Sequence, residues 1–214
     1  MRYTLFLPDN SRDVASLLKK GEVSAAINEL RHRAALGSQS AKTVLAYLHL
    51  QGAFTGQADY EQATTLLQAP VAAGNPYALY VMGWVYFLRE KDAKPAVQCW
   101  IAGANQGFTP SLVEIGRFLS WDLPGKPPNL KAAIDKFLQA HRLGHKQAPA
   151  LVAVLDVRGA RGVLYALSAP VRWVYFYLRC VVWIYIDMFS EHVFLRPPNQ
   201  KKPFFQARVL PQDS

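Results

Sequence analysis

The hydrophobic and small residues of the chain recur in a pattern that is typical of helical hairpins. The repeats are marked by glycines spaced 37, 33 and 37 residues apart, namely Gly37, Gly74, Gly107 and Gly144. Eleven residues before each glycine lies an alanine: Ala26, Ala63, Ala96 and Ala133. Seven residues before it lies a large apolar residue: Leu30, Leu67, Trp100 and Phe137. Because positions four apart share a helix face and glycine readily ends a helix, the pattern predicts a helix before each glycine.

A second set of helices is predicted after each glycine. The first of its small residues comes four positions later, at Ala41, Ala78, Ser111 and Ala148, and the next comes nine positions later, at Ala46, Gly83, Gly116 and Ala153. Good N-caps fifteen residues before three of the glycines start the helices of the first set: Asp59, Asp92 and Asn129. Small residues at matched positions let adjacent helices approach closely, so we expect stacked hairpins with the extra residues of longer repeats in loops.

One copy of the pattern resembles a known family. The stretch SAKTVLAYLHLQGAFTGQADYEQATTLLQAPVAAGNPYA is similar to a Sel-one-like repeat (SLR), a variable-length relative of the tetratricopeptide repeat. The resemblance implies an all-α, right-handed α-solenoid of about three and a half stacked hairpins over residues 11–158, after an extended segment at 1–10. It further implies a protein-interaction scaffold, common in bacteria, and it carries no catalytic residues to this chain.

A partner is expected on the concave surface, which the helices after each glycine usually line in such solenoids. On these helices, the positions six and ten residues after each glycine are expected to face the partner. They are occupied by Thr43 and Tyr47, Tyr80 and Trp84, and Val113 and Arg117. Tyr, Trp and Arg are enriched at binding hot spots. The candidate partner-binding residues are therefore Tyr47, Tyr80, Trp84, Arg117 and Trp121. The alternative is that the aromatic residues pack between repeats.

The run APVRWVYFYLRCVVWIYIDMF, residues 169–189, predicts a long apolar and aromatic helix within residues 159–192. Such a helix can cap the repeats by packing on them, lie in a membrane interface, or span a bilayer. For a helix that spans the bilayer, two central arginines raise the free energy of insertion by roughly 5 to 7 kcal/mol, and the apolar residues lower it by roughly 3 to 6 kcal/mol. The two contributions nearly cancel, so spanning stays an alternative. Candidate membrane contacts are Arg172, Trp173, Tyr177, Arg179, Trp183 and Tyr185.

Residues 193–214 are expected to form a proline-containing basic tail. Its Arg196, Lys201 and Lys202 would suit anionic lipid. The whole chain has a formal net charge of +9 over 214 residues, yet it has no dense block of Lys and Arg, so a nucleic-acid partner is not expected.

The two cysteines, Cys99 and Cys180, lie far apart in apolar surroundings and are predicted to be free thiols in a reducing compartment. The N-terminal apolar patch ends at Pro8 and is too short for a signal-peptide core. We therefore expect a cytoplasmic protein. If the aromatic helix contacts lipid, the protein would be peripheral or anchored at the inner (cytoplasmic) membrane.

Residue patterns for catalysis are weak. The sequence has no P-loop, no dinucleotide-binding glycine motif and no Cys-x-x-Cys pair. His141 and His145 have the spacing of two metal ligands on a helix, but the predicted helix end at Gly144 separates them. We expect no metal, no cofactor and no enzyme, but an adaptor that binds another protein, with a membrane-associated repeat protein as the alternative.

Overall fold

A computed structural model of the chain describes Leu7 and residues 12–90, 93–122 and 126–186. Its long regular elements are helices, which confirms the predicted all-α fold of helical hairpins. The described residues form two compact units, the first ending at Gly103 and the second beginning at Ala104. Most of the predicted N-terminal segment and the whole basic tail lie outside the described residues.

Helices of the first unit alternate along the chain as hairpin pairs. They are α1 (Arg12–Lys20), α2 (Val23–Ala35), α3 (Gln39–Leu50), α4 (Tyr60–Ala72), α5 (Pro76–Val85), a π-helical turn (Tyr86–Glu90) and α6 (Ala93–Asn105), whose last two residues belong to the second unit. Each of the first four helices packs against the next, and α3 also contacts α5. This sequence of contacts is that of stacked hairpins.

The second unit contains the remaining helices. They are α7 (Thr109–Ser120), α8 (Leu130–Arg142), α9 (Ala148–Val157) and α10 (Val163–Ile186). Its core joins α7, α8 and α9 through Leu112, Phe137 and Val152, each no more than 3% exposed. The 24-residue helix α10 packs on α9, in the place where the second helix of a further hairpin would lie.

The helix ends follow the predicted signals. The Asp59 carboxylate accepts a hydrogen bond from the backbone N–H of Gln62 (3.0 Å), and Asn129 caps α8 in the same way. The four repeat glycines adopt φ between 72° and 98°, the left-handed conformation that ends the preceding helix. The third predicted cap, Asp92, lies outside the described residues.

Small residues face large ones where hairpins close. Ala63, Ala96 and Ala133 are fully buried, and the large residues one turn later are at most 2% exposed. A Cβ on Gly83 would lie 2.7 Å from Cδ1 of Trp100, and one on Gly116 would lie 2.6 Å from Cε1 of Phe137. Each ring therefore lies directly against the backbone of its neighbouring helix, as the matched small positions predict.

Replacing Ala63 by Leu should destabilise the protein, because three carbon atoms are added at a fully buried helix contact. Overpacking of this kind costs about 1 to 3 kcal/mol, or roughly 2 to 10 °C in melting temperature for a chain of this size. Thermal and urea unfolding measure the loss. The matched control is Ala69→Leu on the same helix, where the side chain is exposed and the change should stay within about 0.5 kcal/mol. Equal melting curves for the two variants would contradict the packing register.

Candidate interaction surfaces

Three aromatic residues predicted to bind a partner are buried within the first unit. Tyr47 on α3 is 3% exposed, and Tyr80 and Trp84 on α5 are 0% and 2% exposed. The ring of Trp84 lies 5.2 Å from that of Trp100, whose indole N–H donates a hydrogen bond to the carbonyl oxygen of Tyr80 (3.2 Å). These side chains are therefore not on the surface of the chain. They pack between helices, which is the alternative interpretation of the sequence pattern.

Tyr77 belongs to the same aromatic group, although the six-and-ten spacing did not select it. Its ring lies 6.4 Å from that of Tyr47 and 6.5 Å from that of Tyr80. Burial and the neighbouring Tyr47 raise the pKa of Tyr77 well above the ordinary value of a phenol. The ring accordingly stays neutral at physiological pH and serves as a packing element.

The other two predicted partner-binding residues lie at the end of α7 in the second unit. Arg117 is half-buried, and its guanidinium lies 3.6 Å from the carboxylate of Glu114. Trp121 follows the last residue of α7, with its ring 6.0 Å from that of Phe118. Because both side chains keep part of their surface accessible, the predicted binding role persists for this pair as a hypothesis.

A buried carboxylate joins α9 to the segment that follows it. Asp156 is fully buried and accepts two hydrogen bonds from Arg161, at 2.7 and 2.6 Å, and one from Arg172 at 2.8 Å. Burial acts to raise the pKa of Asp156, but the hydrogen bonds and charges of the two guanidinium groups together outweigh it and lower the pKa. The carboxylate is thus held ionised and ties α10 to α9.

This ion pair gives Arg172 a partner within the protein. The sequence places Arg172 among possible lipid contacts, whereas its guanidinium binds Asp156 and also donates a hydrogen bond to the carbonyl oxygen of Tyr165 (2.8 Å). A lipid contact of Arg172 therefore stays a prediction, beside a contact that the structure shows within the protein. Asp156 and Arg161 were missed, although a lone acid within the apolar helix α9 was the available signal.

The other predicted membrane contacts lie on several sides of α10. Trp173 and Tyr177 stack on each other with ring centroids 5.1 Å apart and remain exposed. Arg179 is exposed, Trp183 is half-buried, and the side chain of Tyr185 lies outside the described part. No helix in the described ranges combines the length and the apolar character that crossing a bilayer requires.

A small basic cleft lies between α8, α9 and α10 of the second unit. Its volume is about 80 Å³, and its lining includes His141, Lys146, Phe176, Arg179 and Trp183. The Lys146 ammonium lies 4.3 Å from the centroid of the Trp183 ring, a cation–π contact. Within the described ranges, no carboxylate forms an ion pair with Lys146 or Arg179. The cleft therefore presents positive charge beside aromatic surface.

The two cysteines are free, as predicted. Cys180 is 2% exposed on α10, and burial raises the pKa of its thiol to about 11. Cys99 on α6 is half-buried, and burial also raises the pKa of its thiol. Because the thiolate is the reactive form, both groups are poor nucleophiles near neutral pH.

Solved structures of helical-repeat proteins share this fold, and two of them illustrate the likeness. One is a protective antigen present in uropathogenic Escherichia coli strains that displays an SLR fold, with 17% identity, a TM-score of 0.57, and coverage of 78% of this chain and 38% of that chain. The other is a Sel1 repeat protein from Oxalobacter formigenes, with 24% identity, a TM-score of 0.56, and coverage of 73% and 64%. The match thus spans less than two thirds of either neighbour. No protein-family model and no curated protein matches the sequence.

These likenesses confirm the fold predicted from the sequence, that of Sel-one-like repeats.

Asp156→Asn should destabilise the protein by about 3 kcal/mol at pH 7, since it leaves two guanidinium groups without their buried counter-charge. The folded-state pKa of Asp156 lies below 3.8, so its stabilisation is present above pH 3.8 and is lost as the pH falls through the lowered value. Urea unfolding across pH 2 to 7 should show the difference between variant and wild type narrowing below about pH 4. Asp135→Asn, an exposed change on α8, is the control. A constant difference at every pH would refute the assignment.

Proposed function

We propose that this chain is a non-enzymatic scaffold that binds another protein, and that the basic cleft of the second unit takes an acidic side chain of that partner. The observation that carries the proposal is the pair of cations, Lys146 and Arg179, at one cleft whose described lining residues include no acid. Helical-repeat proteins use such surfaces for recognition because their regular hairpins hold side chains in fixed positions.

The chemistry of the cleft suits a carboxylate next to an apolar group. A guanidinium binds a carboxylate in a bidentate geometry, and an ammonium adds a second positive charge. Phe176 and Trp183 supply the apolar wall, and both are half-buried and thus held in place. About 15 Å³ holds one water molecule, so the cleft has room for a carboxylate group. An Asp or Glu beside an apolar residue is the expected contact.

Arg117 and Trp121 are a further proposed contact of the same partner class. They lie in the second unit as well, and Trp and Arg are among the residues that contribute most at interfaces. Tyr47, Tyr80 and Trp84 are not part of this proposal, since their side chains are buried.

Attachment to a membrane through α10 is the second function to be tested. It is favoured by the exposed aromatic and aliphatic residues of that helix. It is weakened because Arg172 is bound to Asp156 and does not add to the positive charge available for anionic lipid. Co-sedimentation of the full chain with anionic vesicles tests this function.

Affinity capture from the native host, with quantitative mass spectrometry, tests the scaffold proposal. The double variant Lys146→Glu, Arg179→Glu should reduce capture of the main partner at least about tenfold, because two attractive pairs become repulsive. The control is Lys131→Glu, which changes charge at an exposed position of α8 outside the cleft. Equal capture by both variants would place the partner elsewhere. Failure of wild type to capture any protein would count against the scaffold function itself.

A further inference from the structure

The outward side of α10 carries a continuous apolar stripe, here called the outer seam. Its members are spaced alternately by three and four residues: Leu164, Leu167, Val171, Val174, Leu178 and Val181. The first three are 78%, 74% and 75% exposed, and Val174 and Leu178 are 49% and 58% exposed. At a rise of 1.5 Å per residue the seam is about 25 Å long.

In the part of the second unit that the structure describes, the seam faces away from α9. Contact with α9 is made from the opposite side of α10, where Ala169 and Cys180 are 0% and 2% exposed. Phe176 and Arg172 lie on that same side and are partly buried. Leucine and valine therefore face outward along a helix whose other face is already packed.

Alternation of three and four residues is the a and d pattern of a coiled coil, in which two helices interlock along one seam. The positions that flank such a seam usually carry charges, which select the partner and its orientation. Here the described flanking residues are uncharged: Ser168, Pro170, Tyr175, Tyr177 and Val182. Arg172 and Arg179 occupy positions farther from the seam.

We propose that the occupant of the outer seam is a second copy of this chain, so that two α10 helices pack seam to seam in a symmetric dimer. A seam without flanking charges offers nothing that would select a different, charged helix. A second copy supplies the same leucine and valine spacing and brings no charge into the interface. A twofold axis places the same patch on both sides, which is the commonest arrangement of homo-oligomers.

The size of the seam supports a dimer. Its exposed apolar surface, with the neighbouring Tyr175 and Tyr177, is on the order of several hundred Å², at the upper end of what a monomer leaves exposed. A stable interface buries about 800 Å² per partner, which a helix pair with its tyrosine flanks approaches. Helices that lie in a membrane interface differ from α10, because their apolar face is broad and their opposite face is exposed and rich in Lys and Arg. On α10 the face opposite the seam is packed on α9.

The test is the mass of the full chain in solution without detergent, measured by sedimentation equilibrium over about 1 to 50 μM, which spans common dimer affinities. We expect a dimer for wild type. Val174→Glu and Val174→Lys place a charge near the middle of the seam, where the two copies meet in either helix orientation. Each should weaken dimerisation at least about tenfold, because like charges face each other. An equimolar mixture of the two variants should recover the dimer, since opposite charges then meet.

Leu36→Glu is the control, because it puts the same charge on an exposed apolar position of the other unit, where Leu36 is 75% exposed. It should leave the dimer intact, as should the cleft variant Lys146→Glu, Arg179→Glu. Thermal unfolding checks that the Val174 variants fold, and the wild-type mass does not depend on any variant. Co-sedimentation with vesicles containing phosphatidylglycerol is the parallel measurement.

Three results would overturn the proposal. A wild-type chain that is monomeric over the whole range would exclude a second copy. A dimer that survives both Val174 variants would place the interface elsewhere. A chain that is monomeric in solution and binds vesicles, with binding lost in Val174→Glu, would make lipid the occupant of the seam.

Discussion

The close approach of a large ring to the backbone of the neighbouring helix is the contact on which one hairpin in each unit depends. Trp100 lies against Gly83 in the first unit, and Phe137 lies against Gly116 in the second. A Cβ at either glycine would fall well inside van der Waals distance, so the spacing between the two helices requires a residue without a side chain. The same contact occurs in both units. The recurring small and large residues of the sequence therefore produce helix pairs with the same packing.

The final hairpin adds an electrostatic contact to this packing. Asp156 would be expensive to bury alone, and the two arginines that follow it in the chain make its burial tolerable. Arg161 comes from the short connection and Arg172 from α10, so one carboxylate fixes both the turn and the helix. The arrangement also divides α10 into a side committed to α9 and a side open to other molecules.

Much of the fold could be predicted because its signals are local or periodic. The caps at Asp59 and Asn129 and the repeat glycines depend on residues within one turn of each other, so the sequence alone identifies them. The functional surface was harder to predict. Periodicity shows that Tyr47, Tyr80 and Trp84 share a helix face, but burial of that face depends on the neighbouring helices. The cleft depends on Lys146 meeting Trp183, a contact across 37 residues that no local pattern reports.

The buried thiol of Cys180 makes the docking of α10 observable by chemistry. Its thiol is buried and protonated at neutral pH, so an alkylating reagent gains access when the helix leaves its place. The rate of modification in native buffer would then report how often the last hairpin opens, separately from unfolding of the whole chain. A protein that exchanged α10 between its own α9 and another surface would reveal that exchange through one cysteine, without any engineered label.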